Sequence, residues 1–162
     1  MSGYIFLKNG YLMVEVNFMD NNNELINELN KFLKGIHMGA TTFKDYHEKA
    51  KSPFLRKELK ETVESFKRHE EAITHRIEQL GGNAADSVGI AGKMGEFFEK
   101  MKLIVTNTDE ELIDESIKAM EMGIKNAEKF VEEHQNIESS IKKELDNIIK
   151  DYYHQIDRLR SL

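Results

Sequence analysis

Carboxylates and imidazoles carry whatever chemistry this chain can do: it has 29 Asp and Glu, six His and no cysteine. Such groups at helical spacing are what a carboxylate-bridged pair of iron ions needs, one Glu from each of two helices and a Glu-x-x-His from each of two others. Residues three apart on a helix project toward one point, so the spacing is the test. None of the six histidines has a glutamate three residues before it. Asp151-x-x-His154 comes nearest, and counting around the helix from Ile148 and Tyr152 turns His154 to the far side, toward water. Glu71 and His75 stand one turn apart on an outward face and read as a solvated surface contact. His47 points inward near the end of the first helix and reads as a capping or packing residue.

A more central group lies at mid-height of the helices. Glu70 falls within the apolar stripe of the second helix, between Phe66 and Ile73, and folding the first hairpin about Ser52 brings it level with Ile36 and His37. Glu121 sits at similar height on the border of the third stripe, His69 flanks Glu70, and Tyr152 in the fourth stripe needs a partner for its hydroxyl if buried. A buried carboxylate is costly unless paired, so Glu70 should find His37, Tyr152, a lysine stem or water. Glu70, Glu121, His37 and His69 are thus the candidate ligands of a remnant or altered metal site. The same residues also read as a structural polar layer that fixes bundle register, and that reading is preferred. No cofactor is predicted. At most one weakly held divalent metal ion is expected, because two would leave uncompensated charge around Glu70, the single clearly inward carboxylate. Phosphate loops, Ser-His-Asp arrangements and paired catalytic carboxylates are not evident, so the reading leans against an enzyme.

Four amphipathic stretches must position these residues. Leu25, Leu29, Phe32, Leu33, Ile36, Ala40 and Phe43 recur every three or four residues in the first, with Asp20 to Asn23 as its N-cap and an end near Lys51. Ser52-Pro53 restarts the chain, and Leu59, Val63, Phe66, Ile73, Ile77 and Leu80 stripe a second helix that stops at Gly81-Gly82. Thr108 to Glu111 is a capping box opening the third, striped by Ile113, Ile117, Met120, Ile124, Ala127 and Val131. A turn near Gln135-Asn136 leads to the fourth, with Ile137, Ile141, Leu145, Ile148, Tyr152, Ile156 and Leu159. Between the second and third, residues 83–108 carry an amphipathic piece of their own, with Ile90, Met94, Phe97 and Met101 predicting a helix over 88–103 packed along the bundle. Two helical hairpins joined by a crossover as long as the bundle is the connectivity of ferritin-like folds, whereas up-down-up-down bundles use short loops throughout.

Residues 1–19 form a separate N-terminal extension before the bundle at 20–162. Tyr4 to Leu7 and Tyr11 to Val14 flank Asn9-Gly10, a strong hairpin signal. Alternatively the stretch is not native, since Val14-Glu15-Val16 can be encoded by a ribosome-binding sequence suitably spaced before a start at Met19. At 162 residues, with 11 Gly and Pro together and 32% charged residues, the remainder suits one helical domain. Net charge of −6 with both signs interspersed argues against a nucleic-acid binder. No uncharged run approaches the roughly 18 apolar residues of a membrane span, and no signal peptide is visible. A cytoplasmic location is expected from the missing export signal and the absence of cysteine. Core filling is the better reading of the eight methionines, with an adaptable partner surface as the alternative.

From about Glu24 to Leu162 the chain resembles an uncharacterised bacterial family of ferritin-like bundles, known mainly as a domain of unknown function. Leu29-Asn30 with Gly39 and Phe43 in the first helix, Leu80-Gly81-Gly82, Glu121-x-Gly123 in the third helix and Asp157-Arg158-Leu159-Arg160 carry the resemblance. It implies an all-α, ferritin-like four-helix bundle with a Gly-Glu pair in the first and third helices. Here the slots after Gly39 and Gly123 hold Ala40 and Ile124. The function expected is therefore a non-catalytic structural or interaction protein with a degenerate metal site, its expected partner a further copy of itself or another protein. A metal-binding or oxidase-type relative with a rearranged ligand set is the alternative.

Overall fold

The computed structural model describes residues 13–86 and 108–162, with side chains described from residue 21. Four helices make up these residues: α1 (Met13–Lys49), α2 (Pro53–Gln79), α3 (Asp109–Glu133) and α4 (Ser139–Arg160). α1 packs along α2 and α3 along α4 within two hairpins, which meet through α2 against α4 and α1 against α3. The apolar stripes face the common axis. Leu29, Leu33, Ile36 and Phe43 of α1 are buried with Leu59, Phe66, Ile73 and Ile77 of α2, Met120 and Ile124 of α3, and Ile141 to Leu159 of the α4 stripe. In α3 the first turns are rotated relative to expectation: Leu112 and Ser116 are buried and Ile113 and Ile117 only partly so.

Two helix ends next to the crossover are satisfied by local devices. Gly81 takes φ +81°, and Gly82 N donates to Ile77 O while Gly81 N donates to Glu78 O, the paired bonds of a Schellman stop. Thr108 and Glu111 cap each other reciprocally at the start of α3. Ser52 precedes Pro53 as expected but caps nothing with its own side chain. Asp109 of α3 instead holds the turn before α2, accepting from Lys51 N at 2.9 Å and Ser52 N at 2.7 Å. These bonds hold its carboxyl below the usual carboxylate range, against the opposing effect of desolvation.

The start of α3 is thereby fixed to the α1–α2 turn. At the opposite end, the chain leaving α2 is fixed to α1 by Asn30, whose Nδ2 donates to Asn83 O at 3.0 Å and whose Oδ1 accepts from Ala85 N at 2.6 Å. One amide thus pairs with an extended segment as a neighbouring strand would. The connection from α2 to α3 accordingly links opposite ends of the bundle, the ferritin-like topology.

Two expectations for the N-terminal part change. α1 already runs at Met13, so Met13 to Val16 are helical rather than part of a hairpin strand, and Asp20 to Asn23 lie inside the helix instead of capping it. Continuing a helix adds a bond for each residue fixed, whereas the few tenths of a kcal/mol by which β-branched residues disfavour it are small. The remainder of the hairpin, residues 1–12, and most of the crossover, including the expected helix over 88–103 with Phe97, fall outside the described residues.

Candidate functional site

Two polar pairs and one aromatic cluster occupy the middle of the bundle. On the α1–α2 seam, His37 Nδ1 lies 2.7 Å from Glu70 Oε1, and its Nε2 lies 3.1 Å from Ala85 O. Both ring nitrogens therefore face oxygens, one a side-chain carboxyl and one a backbone carbonyl. Glu70 is not the inward residue of α2. It stays half-buried on the seam, and its neighbour His69 turns inward and is buried. Burying an imidazole, which can be neutral, costs less than burying a carboxylate.

His69 instead joins a group between α2 and α4. Its Nε2 lies 3.0 Å from Asp151 Oδ2, and the same carboxylate accepts from Ser65 Oγ and, at 2.9 Å, from Gln155 Nε2. Partial burial alone would raise the Asp151 pKa, but the bonds from His69 and Ser65 outweigh it and hold the carboxyl down at about 2. Within this group His69 Nδ1 and Gln155 Oε1 are buried without a hydrogen-bond partner. Ser65, His69 and Asp151 do not form a nucleophilic relay. Serine and carboxylate both meet Nε2, whereas a relay needs them on opposite ring nitrogens.

Between the two pairs, rings fill the axis. Phe66 of α2 lies with ring centroids 5.3 Å from Phe43 of α1 and 5.4 Å from Tyr152 of α4, and Tyr152 meets His69 edge-on at 5.3 Å. Glycines on the two remaining walls admit these rings. A Cβ on Gly39 would come 2.3 Å from Phe66 Cε1, and one on Gly123 would come 2.8 Å from Tyr152 Cε2. The two hairpins therefore repeat one device, a glycine on the first helix seating an aromatic ring from the second. Phe66 and His69 keep the three-residue spacing of an inward pair on α2, and Tyr152 and Gln155 keep it on α4.

The four expected ligands are dispersed. His37 and Glu70 come together, His69 pairs with Asp151, and Glu121 lies exposed on the outside of α3, 3.2 Å from Arg160 Nη2. No three His, Asp or Glu side chains among the described residues are grouped closely enough to hold an ion. A carboxylate-bridged metal pair does not fit these side chains, since the converging positions on α2 and α4 carry rings. His154 faces solvent, and His47 Nδ1 reaches Arg56 O at 3.1 Å near the hairpin turn.

Residues 24–133 match the family described as Domain of unknown function (DUF2383). The chain belongs to this family. As a DUF2383 member it shares its fold with a solved bacterial protein, the dodecameric thioferritin described as a bacterioferritin-related protein from Bacteroides fragilis. The two superpose with a TM-score of 0.71 at 13% sequence identity, over 86% of this chain and 84% of that one. At that identity the likeness is one of fold, and it establishes the ferritin-like bundle. Comparison with curated proteins gives no match. No helix among the described residues is long and apolar enough to cross a membrane.

Proposed function

We propose that this DUF2383 protein is a non-catalytic, ferritin-like bundle, acting as a structural or interaction protein in which the metal centre of the fold has been replaced by an aromatic core. The observation that supports this reading is the Phe66–Tyr152 contact at 5.4 Å, on the two helices and at the spacing where a metal-binding bundle would carry Glu-x-x-His. A ring in each carboxylate position removes the anionic oxygens that two divalent ions need. The flanking polar groups are absorbed in pairs, His37 with Glu70 and His69 with Asp151. In this reading the polar layer fixes the register of the hairpins, and the working surface is the outside of the bundle.

Self-association and a cytoplasmic, bacterial setting complete the proposal. The thioferritin that shares the fold is a dodecamer, and this chain exposes Met122, Tyr153 and Phe54 as large apolar side chains suited to a contact. The rival reading, one ion held by a rearranged set, draws on the unpartnered His69 Nδ1 and Gln155 Oε1. Metal analysis of protein purified without chelator decides between them. Iron, manganese and zinc all far below one per chain are expected; a single equivalent lost in His69→Phe would favour the rival.

A further inference from the structure

A groove of about 510 Å³ opens between α1 and α3 and reaches past them to Phe66 of α2 and Tyr152 of α4. Its walls are largely apolar, with Phe32, Phe43 and Phe130 prominent, and its volume lies within the range of small-molecule sites. Tyr152 is among its lining residues and is only 3% exposed, yet nothing among the described residues hydrogen-bonds its hydroxyl. Burial keeps that hydroxyl protonated far above neutral pH, so it stands there as a donor. Unlike the fully buried and unpaired Tyr46 hydroxyl, that of Tyr152 keeps some contact with water, and an acceptor entering the groove would take the place of that water.

The rim adds a second constraint. Lys31 pairs with Glu28 at 2.5 Å on the α1 side and Lys129 with Glu133 at 3.6 Å on the α3 side. Each edge is internally neutralised, leaving no surplus charge to hold an ionic ligand in place.

We propose that the α1–α3 groove is a binding site for a neutral aromatic molecule carrying one hydrogen-bond acceptor, such as a ring ketone or quinone-type carbonyl, which stacks among the phenylalanines and accepts from Tyr152. Size and wall chemistry set the aromatic body, the Tyr152 donor at its inner end sets the acceptor, and the balanced rim sets the absence of charge. This does not depend on whether the bundle also holds a metal ion.

Titration calorimetry with 1-acetonaphthone, a neutral aromatic ketone, against naphthalene, which lacks the acceptor, tests the site. One ketone per chain should bind about tenfold more tightly than naphthalene, the worth of one buried hydrogen bond. Tyr152→Phe should erase that difference while leaving naphthalene binding intact. Gly35 lines the same groove and a Cβ there would meet nothing within 4 Å, so Gly35→Leu should fill the groove and abolish binding of both probes, with the helical signal retained and melting no lower than in the parent. Equal affinity for the two probes in the parent protein would overturn the role of Tyr152. Undiminished binding in Gly35→Leu would overturn the site itself.

Discussion

Two glycines one turn apart on α1 offer a sharp test of the aromatic core. A Cβ at Gly39 would stand 2.3 Å from Phe66 Cε1 and 2.6 Å from Cζ, whereas one at Gly35 would meet nothing within 4 Å. Replacing either with Ala gains about 1 kcal/mol from helix propensity, since Ala is the better former by that amount. At Gly39 the ring must also move about 1 Å to restore ordinary contact, and it is boxed in by Phe43 at 5.3 Å and Tyr152 at 5.4 Å. Overpacking of this kind costs about 1–3 kcal/mol, and the confinement of the ring places it toward the upper end. The propensity gain is common to both variants, so their difference isolates the packing term. For a chain of this length 1 kcal/mol moves the melting temperature by about 2–4 °C. Gly35→Ala should therefore melt about 2–4 °C above the parent and Gly39→Ala about 4–8 °C below it, read by far-ultraviolet circular dichroism at matched protein concentration. Equal stability of the two variants would mean that Phe66 does not rest against α1, and the aromatic core would have to be abandoned.

Two further predictions concern the polar groups. Asn30→Ala removes the bonds to Asn83 O and Ala85 N and should cost about 2 kcal/mol, with faster amide exchange at Ala85 while α2 stays protected; unchanged exchange there would show that the clamp is idle. Asp151 has a folded-state pKa of about 2 against an ordinary 3.8, so its ionised form contributes stability above about pH 4 that is lost as pH falls through about 2. Asp151→Asn should flatten the stability profile across that window, and an unchanged acid limb would show that the carboxylate is not the group responsible.

Much of the architecture is written in local pattern. The α4 stripe from Ile141 to Leu159 is buried as its spacing requires, because an apolar period near 3.6 leaves one face with nowhere else to go. Gly81-Gly82 and Thr108-x-x-Glu111 are equally plain, since each satisfies helix-end groups within a few residues. The centre was harder to read. In α2 the apolar stripe leaves a gap between Phe66 and Ile73, and both His69 and Glu70 fall in it. Periodicity does not choose between neighbours, and desolvation cost does. The partner of His69 is 82 positions away in Asp151, and that of Glu121 is Arg160, separations at which no sequence pattern marks the pair. Gly39 and Gly123 stand in the sequence only as the residues before Ala40 and Ile124, but their own role is steric and depends on which rings α2 and α4 bring. A histidine or carboxylate four residues from another polar residue, as in Ser65–His69 and Asp151–Gln155, is the one local hint of an inward polar face that could have been used.

The central claim is that rings stand where a ferritin-like bundle would place its metal-bridging carboxylates, and ferrous iron tests it most directly. Protein purified without chelator is given ferrous iron in air, and both the rate of oxidation and the iron retained per chain are measured. Oxidation no faster than the protein-free control, with less than one iron retained per chain, is the result predicted. Retention near two irons per chain with accelerated oxidation, both abolished by His69→Phe, would contradict the account and make the metal-binding reading the correct one.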